Sequence, residues 1–143
     1  EYEQFFKEMQ AKYPGRFVLC QGFVPELARK IYGGSDIFLV PSKSEPCGLS
    51  QMVALRYGSI PVVRETGGLK DSITDSGDGK GNGFTFQTYD TQDMLNSVHR
   101  AIYAYNESKD GWKVLVERAM ACDNSWGRSA NDYIRLYKQL INS

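Results

Sequence analysis

Asp36-Ile37-Phe38-Leu39-Val40, then Pro41-Ser42-Lys43-Ser44-Glu45-Pro46-Cys47, then Gly48-Leu49-Ser50-Gln51-Met52-Val53-Ala54-Leu55-Arg56-Tyr57-Gly58, decide how this chain is read. The unbroken apolar run after Asp36 predicts a strand covered on both faces. Pro41 to Pro46 is rich in turn formers and predicts a loop. A helix is expected from Gly48 to Tyr57, with Gly58 ending it. Strand, loop and helix in that order place the loop at the carboxyl end of a strand.

The same alternation extends in both directions. Downstream, Ile60-Pro61-Val62-Val63 reads as the next strand, with its proline near an end. Gly67-Gly68 then lead into a short helix around Leu69 to Thr74. Asp75 to Asn82 is glycine-rich and polar, which predicts an exposed flexible loop. Phe84-Thr85-Phe86 is a short, weak strand. Asp90 to Tyr105 and Gly111 to Cys122 read as helices, the first started by Asp90 or Thr91. Ser125 is placed to cap a last helix, Trp126 to Ile141, whose Tyr133, Ile134, Tyr137, Leu140 and Ile141 form one stripe. Upstream, Phe5, Phe6, Met9 and Tyr13 fall at helical spacing between Tyr2 and Tyr13, and Pro14-Gly15 stop the pattern. Arg16 to Gln21 reads as a strand closed by Gly22. A helix is expected from Pro25 to Gly33-Gly34.

The fold class that follows is α/β: a Rossmann-like parallel sheet with helices flanking it on both faces. Ligands of such sheets sit in the loops leaving the carboxyl ends of strands. Three loops qualify here: Gly22-Phe23-Val24, Pro41 to Cys47, and Arg64 to Gly68. The chain opens on a helix where such a domain normally opens on a strand, so one strand or more is expected upstream.

Composition bounds the function. The 143 residues suit one domain. Lys and Arg total 17 against 17 Asp and Glu, which argues against general attraction to nucleic acid or to an anionic membrane. No apolar run approaches the roughly 18 residues of a membrane span. Glu1-Tyr2-Glu3-Gln4 lacks the basic and apolar segments of a signal peptide. Cys20, Cys47 and Cys122 are odd in number and far apart, so neither a disulfide framework nor a zinc site is expected. A reducing cytoplasm fits them. No carboxylate cluster has metal-ligand spacing. His99 is the single histidine, which removes every mechanism that needs two.

Glu45 stands between the predicted strand and helix, flanked by Pro46 and Gly48. A rigid turn there would hold a carboxylate at the sheet edge, where it could accept hydrogen bonds from sugar hydroxyls. Gly48-Leu49-Ser50 would open the helix with free N–H groups and the positive end of the dipole, a phosphate site that needs no lysine. The competing reading of the same pattern is a surface turn with a capping acid. Arg64-Glu65-Thr66-Gly67-Gly68 repeats the logic more weakly. Gly77 to Gly83 lacks the Ser or Thr that a P-loop needs after its lysine, since Gly81 follows Lys80. Cys47 is read as a small turn residue, His99 as a partly exposed helix residue, and Trp112 and Trp126 as packing anchors.

Four stretches in order carry a resemblance: Gly34-Ser35-Asp36-Ile37-Phe38-Leu39-Val40-Pro41-Ser42, Glu45-Pro46-Cys47-Gly48-Leu49-Ser50-Gln51, Arg56-Tyr57-Gly58-Ser59-Ile60-Pro61-Val62-Val63 and Thr66-Gly67-Gly68-Leu69-Lys70-Asp71. Asn82-Gly83-Phe84 and Asp123-Asn124-Ser125-Trp126 extend it over nearly the whole chain. Together they closely resemble bacterial glycogen synthases and plant starch synthases. The resemblance implies a two-domain GT-B fold, of which residues 1–143 would be one incomplete C-terminal nucleotide-sugar-binding domain, with 126–141 as its closing helix. It implies transfer of glucose from ADP-glucose to the non-reducing end of an α-1,4-glucan, with retention at the anomeric carbon and with no metal or other cofactor.

By the same resemblance, Glu45 is the catalytic-site acid that holds glucose hydroxyls. Cys47 and Gly48 contact the sugar through their backbone, and Leu49 and Ser50 give N–H groups to the diphosphate. Phe23 lies against adenine, and Gly67 and Gly68 line the cleft. Val53 stands where the broader motif has a second Glu, and Lys43-Ser44 stand where many relatives have Arg-Phe. The resemblance places the rest of the machinery upstream of Glu1. An N-terminal domain would bring a Lys-containing Gly-rich loop and a cleft His, and an Arg/Lys pair for the diphosphate would follow it. The partner is therefore the missing N-terminal domain, and the chain alone is expected to be inactive. Two other readings compete: a GT-B transferase using UDP-glucose or another nucleotide sugar, and a non-catalytic α/β binding module such as a receiver.

Overall fold

The computed structural model describes residues 2–142. Its sheet has three parallel strands in the order β1 (Ile37–Val40), β2 (Ile60–Arg64), β3 (Phe84–Phe86). The helices are α1 (Tyr2–Lys12), α2 (Pro25–Gly34), α3 (Ser50–Tyr57), α4 (Gly67–Ser72), α5 (Thr91–Glu107), α6 (Lys109–Met120) and α7 (Trp126–Ile141). A parallel sheet flanked by helices is the architecture that the alternating pattern predicts.

β2 is the central strand and is buried from Ile60 to Val63. Around it pack Leu55 from α3, Leu69 from α4, Phe84 and Phe86 from β3, Ala101 from α5, and Trp112 and Leu115 from α6. Pro61 is tolerated in this strand because β3 begins to pair one residue later, at Val62↔Phe84. Its missing N–H therefore leaves no gap in the ladder. Gly58 closes α3 with φ 80°, and its N–H donates back to Leu55 O and Ala54 O. α5 is capped by Asp90, whose carboxylate accepts from the N–H groups of Gln92 and Asp93.

Several expectations are corrected. Arg16 to Gln21 forms no strand among the described residues. A strand exists through a ladder partner, and here the Leu19 N–H donates instead to Gln10 Oε1 at 2.7 Å. Phe17 stacks on Phe6 of α1 with ring centroids 5.9 Å apart. β1 is an edge strand with Leu39 42% exposed, so its apolar run is not covered on both faces. α3 begins at Ser50, two residues after the expected start, because Gly48 takes φ +69°. Trp112 is a packing anchor, but Trp126 is 90% exposed and is not. Ser125 occupies the N-cap position of α7 without a side-chain cap bond. The stripe of Tyr133, Ile134 and Tyr137 on α7 is exposed.

The glycine-rich segment 75–82 is also less exposed than its composition suggests. Only its tip, residues 77–80, is exposed, and Gly81 is buried. Asp75 ties the segment down, accepting from the N–H groups of Gly77 and Thr85 at 2.9 and 2.8 Å and pairing with Arg100. Asn82 Oδ1 accepts from the Thr74 N–H at 2.8 Å. Burial alone would raise the Asp75 carboxyl, but the Arg100 guanidinium and the two N–H groups outweigh it and hold the pKa below its ordinary value of 3.8. A depressed folded pKa means that the unfolded chain binds more protons just below that value. The pair's contribution to stability is therefore complete above pH 3.8 and is lost as pH falls through the lower folded value. Urea midpoints measured from pH 6 downward are expected to fall on this acid limb. In Asp75→Asn the limb should flatten, and an unchanged limb would remove Asp75 from the account.

Among the described residues, no helix is long and apolar enough to cross a membrane. Cys20, Cys47 and Cys122 are free thiols.

Candidate functional site

β1 and β2 run parallel in the register Val40↔Val63, so both strands deliver their outgoing loops to the same edge. The first loop carries Glu45 to Leu49, and the second carries Glu65 and Thr66 into Gly67 and Gly68 at the start of α4. The two are in backbone contact. The Gly68 N–H donates to Glu45 O at 3.2 Å. A Cβ on Gly67 would drive into the Glu45 carbonyl, and one on Gly68 into the Cys47 carbonyl. The close approach is possible only for residues without a side chain. Gly67 also has φ +44°.

Arg64, the last residue of β2, fixes the frame. Its Nε donates to Ser42 O at 2.9 Å, one terminal nitrogen donates to Lys43 O, and the other donates to Gln87 O at 3.4 Å. One guanidinium thus bridges the segments leaving all three strands. The Tyr89 ring lies beneath it at 5.8 Å, with Lys43 Nζ 5.9 Å from the same ring.

Beneath the first loop lies Gln51, wholly buried in the first turn of α3. Its Nε2 donates to Gly48 O at 2.8 Å and to Ser72 Oγ at 3.1 Å, and shares a longer contact of 3.4 Å with Cys47 O. Ser72 Oγ donates to Gly68 O at 2.6 Å, so one polar chain links both loops. Gln51 Oε1 is buried without a partner among the described residues, an arrangement that costs about 1–3 kcal/mol. Gln51 and Ser72 carry no role in the sequence reading of the site, and Arg64 enters it only as the first residue of the second candidate loop. A polar residue at the second position of a helix carries no signal of burial, and only the packed fold shows it.

The structure brings Glu45, Cys47, Gly48, Leu49, Ser50, Gly67 and Gly68 together. Phe23 stands in the turn before α2, 94% exposed, with no hydrogen bond or ring contact to the others. Cys47 is exposed, as is His99 on α5, and no contact joins them. The Glu45 carboxylate makes no hydrogen bond or ion pair among the described residues. Neither do the N–H groups of Gly48, Leu49 and Ser50. The edge therefore presents one acceptor group and, beside it, a row of donors at a helix start, where negative charge is favoured. An open recess of 840 Å³ runs along α3 past Leu49, Met52, Val53, Arg56, Tyr57 and Met120, so of the candidate residues only Leu49 borders it. Among the described residues no three His, Cys, Asp or Glu side chains converge as a metal-ligand set.

Residues 1–111 match the family described as glycosyl transferases group 1. The chain is 51% identical to a glycogen synthase of Geobacillus stearothermophilus over 142 residues, covering 98% of this chain and 29% of that protein. It is 48% identical to a glycogen synthase of Pseudothermotoga lettingae over 143 residues, 99% of this chain and 29% of that one. It thus spans less than a third of the length of these relatives. Its structure is similar to the catalytic domain of starch synthase IV from Arabidopsis thaliana bound to ADP and acarbose, with TM-score 0.84, 41% identity, and coverage of 98% of this chain and 30% of that one. A sucrose-phosphate synthase from Thermosynechococcus elongatus shares the fold at TM-score 0.65 and 22% identity, over 99% of this chain and 35% of that one.

Proposed function

Because the chain belongs to the group 1 glycosyl transferases, we propose that its two joined loops form the donor-binding part of a retaining glucosyltransferase. The transferase would move glucose from ADP-glucose to the non-reducing end of an α-1,4-glucan, in a cytoplasmic setting. The observation that carries the proposal is the backbone junction of the loops after β1 and β2. It holds a carboxylate beside N–H groups at the α3 start, all without a partner among the described residues. Two relatives named glycogen synthase and a starch synthase bound to ADP and acarbose support the choice of substrates.

In this reading the Glu45 carboxylate accepts hydrogen bonds from glucose hydroxyls, and the backbone of Cys47 and Gly48 touches the sugar. The N–H groups of Leu49 and Ser50 donate to the diphosphate. These donors gain strength as the sugar–phosphate bond breaks and negative charge collects on the departing ADP. Gly67 and Gly68 form the adjoining wall, and Phe23 offers a ring for adenine. No cofactor is invoked. Residues 1–143 act as one C-terminal nucleotide-sugar-binding unit, with 126–141 as its closing helix. The opposite wall of the cleft, which orients the acceptor and completes phosphate neutralisation, belongs to an N-terminal domain of the same protein. A transfer reaction needs both walls, since fixed geometry of donor and acceptor supplies much of the rate.

The test replaces the matching segment of the Geobacillus stearothermophilus relative with this chain. The chimera is expected to elongate glucan with ADP-glucose in preference to UDP-glucose, and the 143-residue chain alone to show no elongation. A folded but inert chimera would count against the donor-site reading. Preference for UDP-glucose would reassign the nucleotide. Elongation by the isolated chain would overturn its proposed dependence on a second domain.

A further inference from the structure

We infer that Gln51 is a positioning residue of the donor site: its buried amide holds the Cys47 and Gly48 carbonyls so that the Gly48 and Leu49 N–H groups face the diphosphate. The inference rests on the donor-site reading above and deepens it.

The geometry begins with the amide itself. Nε2 faces Gly48 O, Cys47 O and Ser72 Oγ. The two carbonyls accept only, so the nitrogen has to lie on that side, and the amide cannot be turned round. The peptide units concerned are planar and trans, with no cis bond in the described chain. In a trans peptide the N–H points opposite the C=O. The Cys47 carbonyl shares its peptide with the Gly48 N–H, and the Gly48 carbonyl shares its peptide with the Leu49 N–H. Drawing both oxygens inward to Gln51 therefore turns both N–H groups outward. They emerge beside the Ser50 N–H, the first of the helix, and none of the three meets an acceptor among the described residues. Gln51 thus adds the N–H of Gly48, whose backbone the resemblance assigns to the sugar, to the diphosphate donors Leu49 and Ser50.

Two further observations fit a residue kept for what its nitrogen does. Gln51 Oε1 is buried and unpartnered; an apolar side chain of similar length would fill the space without leaving that oxygen unpaired. Position 48 is also restricted by Gln51. A Cβ there would lie 2.7 Å from Oε1 and 3.0 Å from Nε2, in addition to the strain of φ +69°. Glutamine and glycine are matched to each other across the turn.

A residue that merely stabilised the α3–α4 junction would also make these bonds, so the test separates the phosphate from the nucleoside. ADP and adenosine are titrated into the isotope-labelled chain and followed by backbone amide shifts, with thermal unfolding measured in parallel. The wild-type chain is expected to bind ADP at least about tenfold more tightly than adenosine, because helix-start N–H groups serve the phosphates alone. Gln51→Met is expected to keep its adenosine affinity and lose about tenfold for ADP, and Ser72→Ala to retain the ADP preference. Should Gln51→Met not fold, Gln51→Leu carries the same comparison, since its apolar side chain also has no donor and adds no charge beside the phosphates. Equal weakening of ADP and adenosine, an unchanged ADP affinity, or loss of the preference in Ser72→Ala would each overturn the inference. A wild-type chain that does not distinguish ADP from adenosine would show instead that the donor-site reading itself is wrong.

Discussion

Gly68→Ala is expected to destabilise the fold by about 3 kcal/mol, the upper end of the range for inserting a methyl into a packed position. The neighbour that the new Cβ meets is the Cys47 carbonyl, not the end of a flexible side chain. That carbonyl belongs to the backbone of the first loop and also has Gln51 Nε2 at 3.4 Å, so moving it means moving the loop. Retreat of the α4 start is opposed as well, because the Gly68 N–H donates to Glu45 O and the Gly68 carbonyl accepts from Ser72 Oγ. Leu69, the next residue, is fully buried and anchors that start in the core. Urea unfolding measures the effect directly. Against the 5–15 kcal/mol that a typical domain holds in reserve, a loss of this size is large. Gly34→Ala is the control: its Cβ would meet nothing within 4 Å, and its cost should be small. Equal midpoints for the two variants would show that the loop junction is softer than its geometry indicates.

The second large effect concerns chemistry rather than stability. In the chimera, Glu45→Ala is expected to reduce glucosyl transfer by about a hundredfold or more, the scale on which removal of one preorganised polar contact acts on a transition state. Its folding stability should change by no more than about 0.5 kcal/mol, as for other substitutions that break no structural contact. The asymmetry follows from which atoms of Glu45 are used. Its backbone oxygen accepts from Gly68, and alanine keeps that oxygen. Its carboxylate bonds nothing among the described residues and is free for a ligand. Wild-type turnover in a folded Glu45→Ala chimera would remove Glu45 from the site. A matched fall in stability and activity would make it a structural residue.

Part of this organisation was legible from residue order. The alternation of apolar runs with glycine- and proline-marked loops led to a parallel sheet, and two of the three strand–helix loops singled out meet at one edge. The third, around Phe23, makes no hydrogen bond or ring contact with them. Arg16 to Gln21 was misread for a related reason. Its residues suit an extended chain, but pairing is a property of two segments, and no partner strand lies beside this one among the described residues. α1 and α7 show a similar limit. Spacing predicted both helices, yet neither buries a single residue among those described, because periodicity says that a face exists and not what covers it.

By itself the sequence determined the α/β class and the positions of Glu45 and the Gly-rich loop ends. It also determined membership of a transferase family. These are local matters, set by side-chain type, spacing and the φ values that glycine and proline permit. Only the tertiary structure decided that the Gly68 N–H meets the Glu45 carbonyl and that Arg64 bridges the ends of three strands. It alone placed Gln51 under the turn with an amide turned toward two carbonyls. Those contacts join residues that are near only because β1 and β2 pair in parallel and in one register. A one-dimensional pattern can name the donors of a site, but the packing beneath them sets where they point.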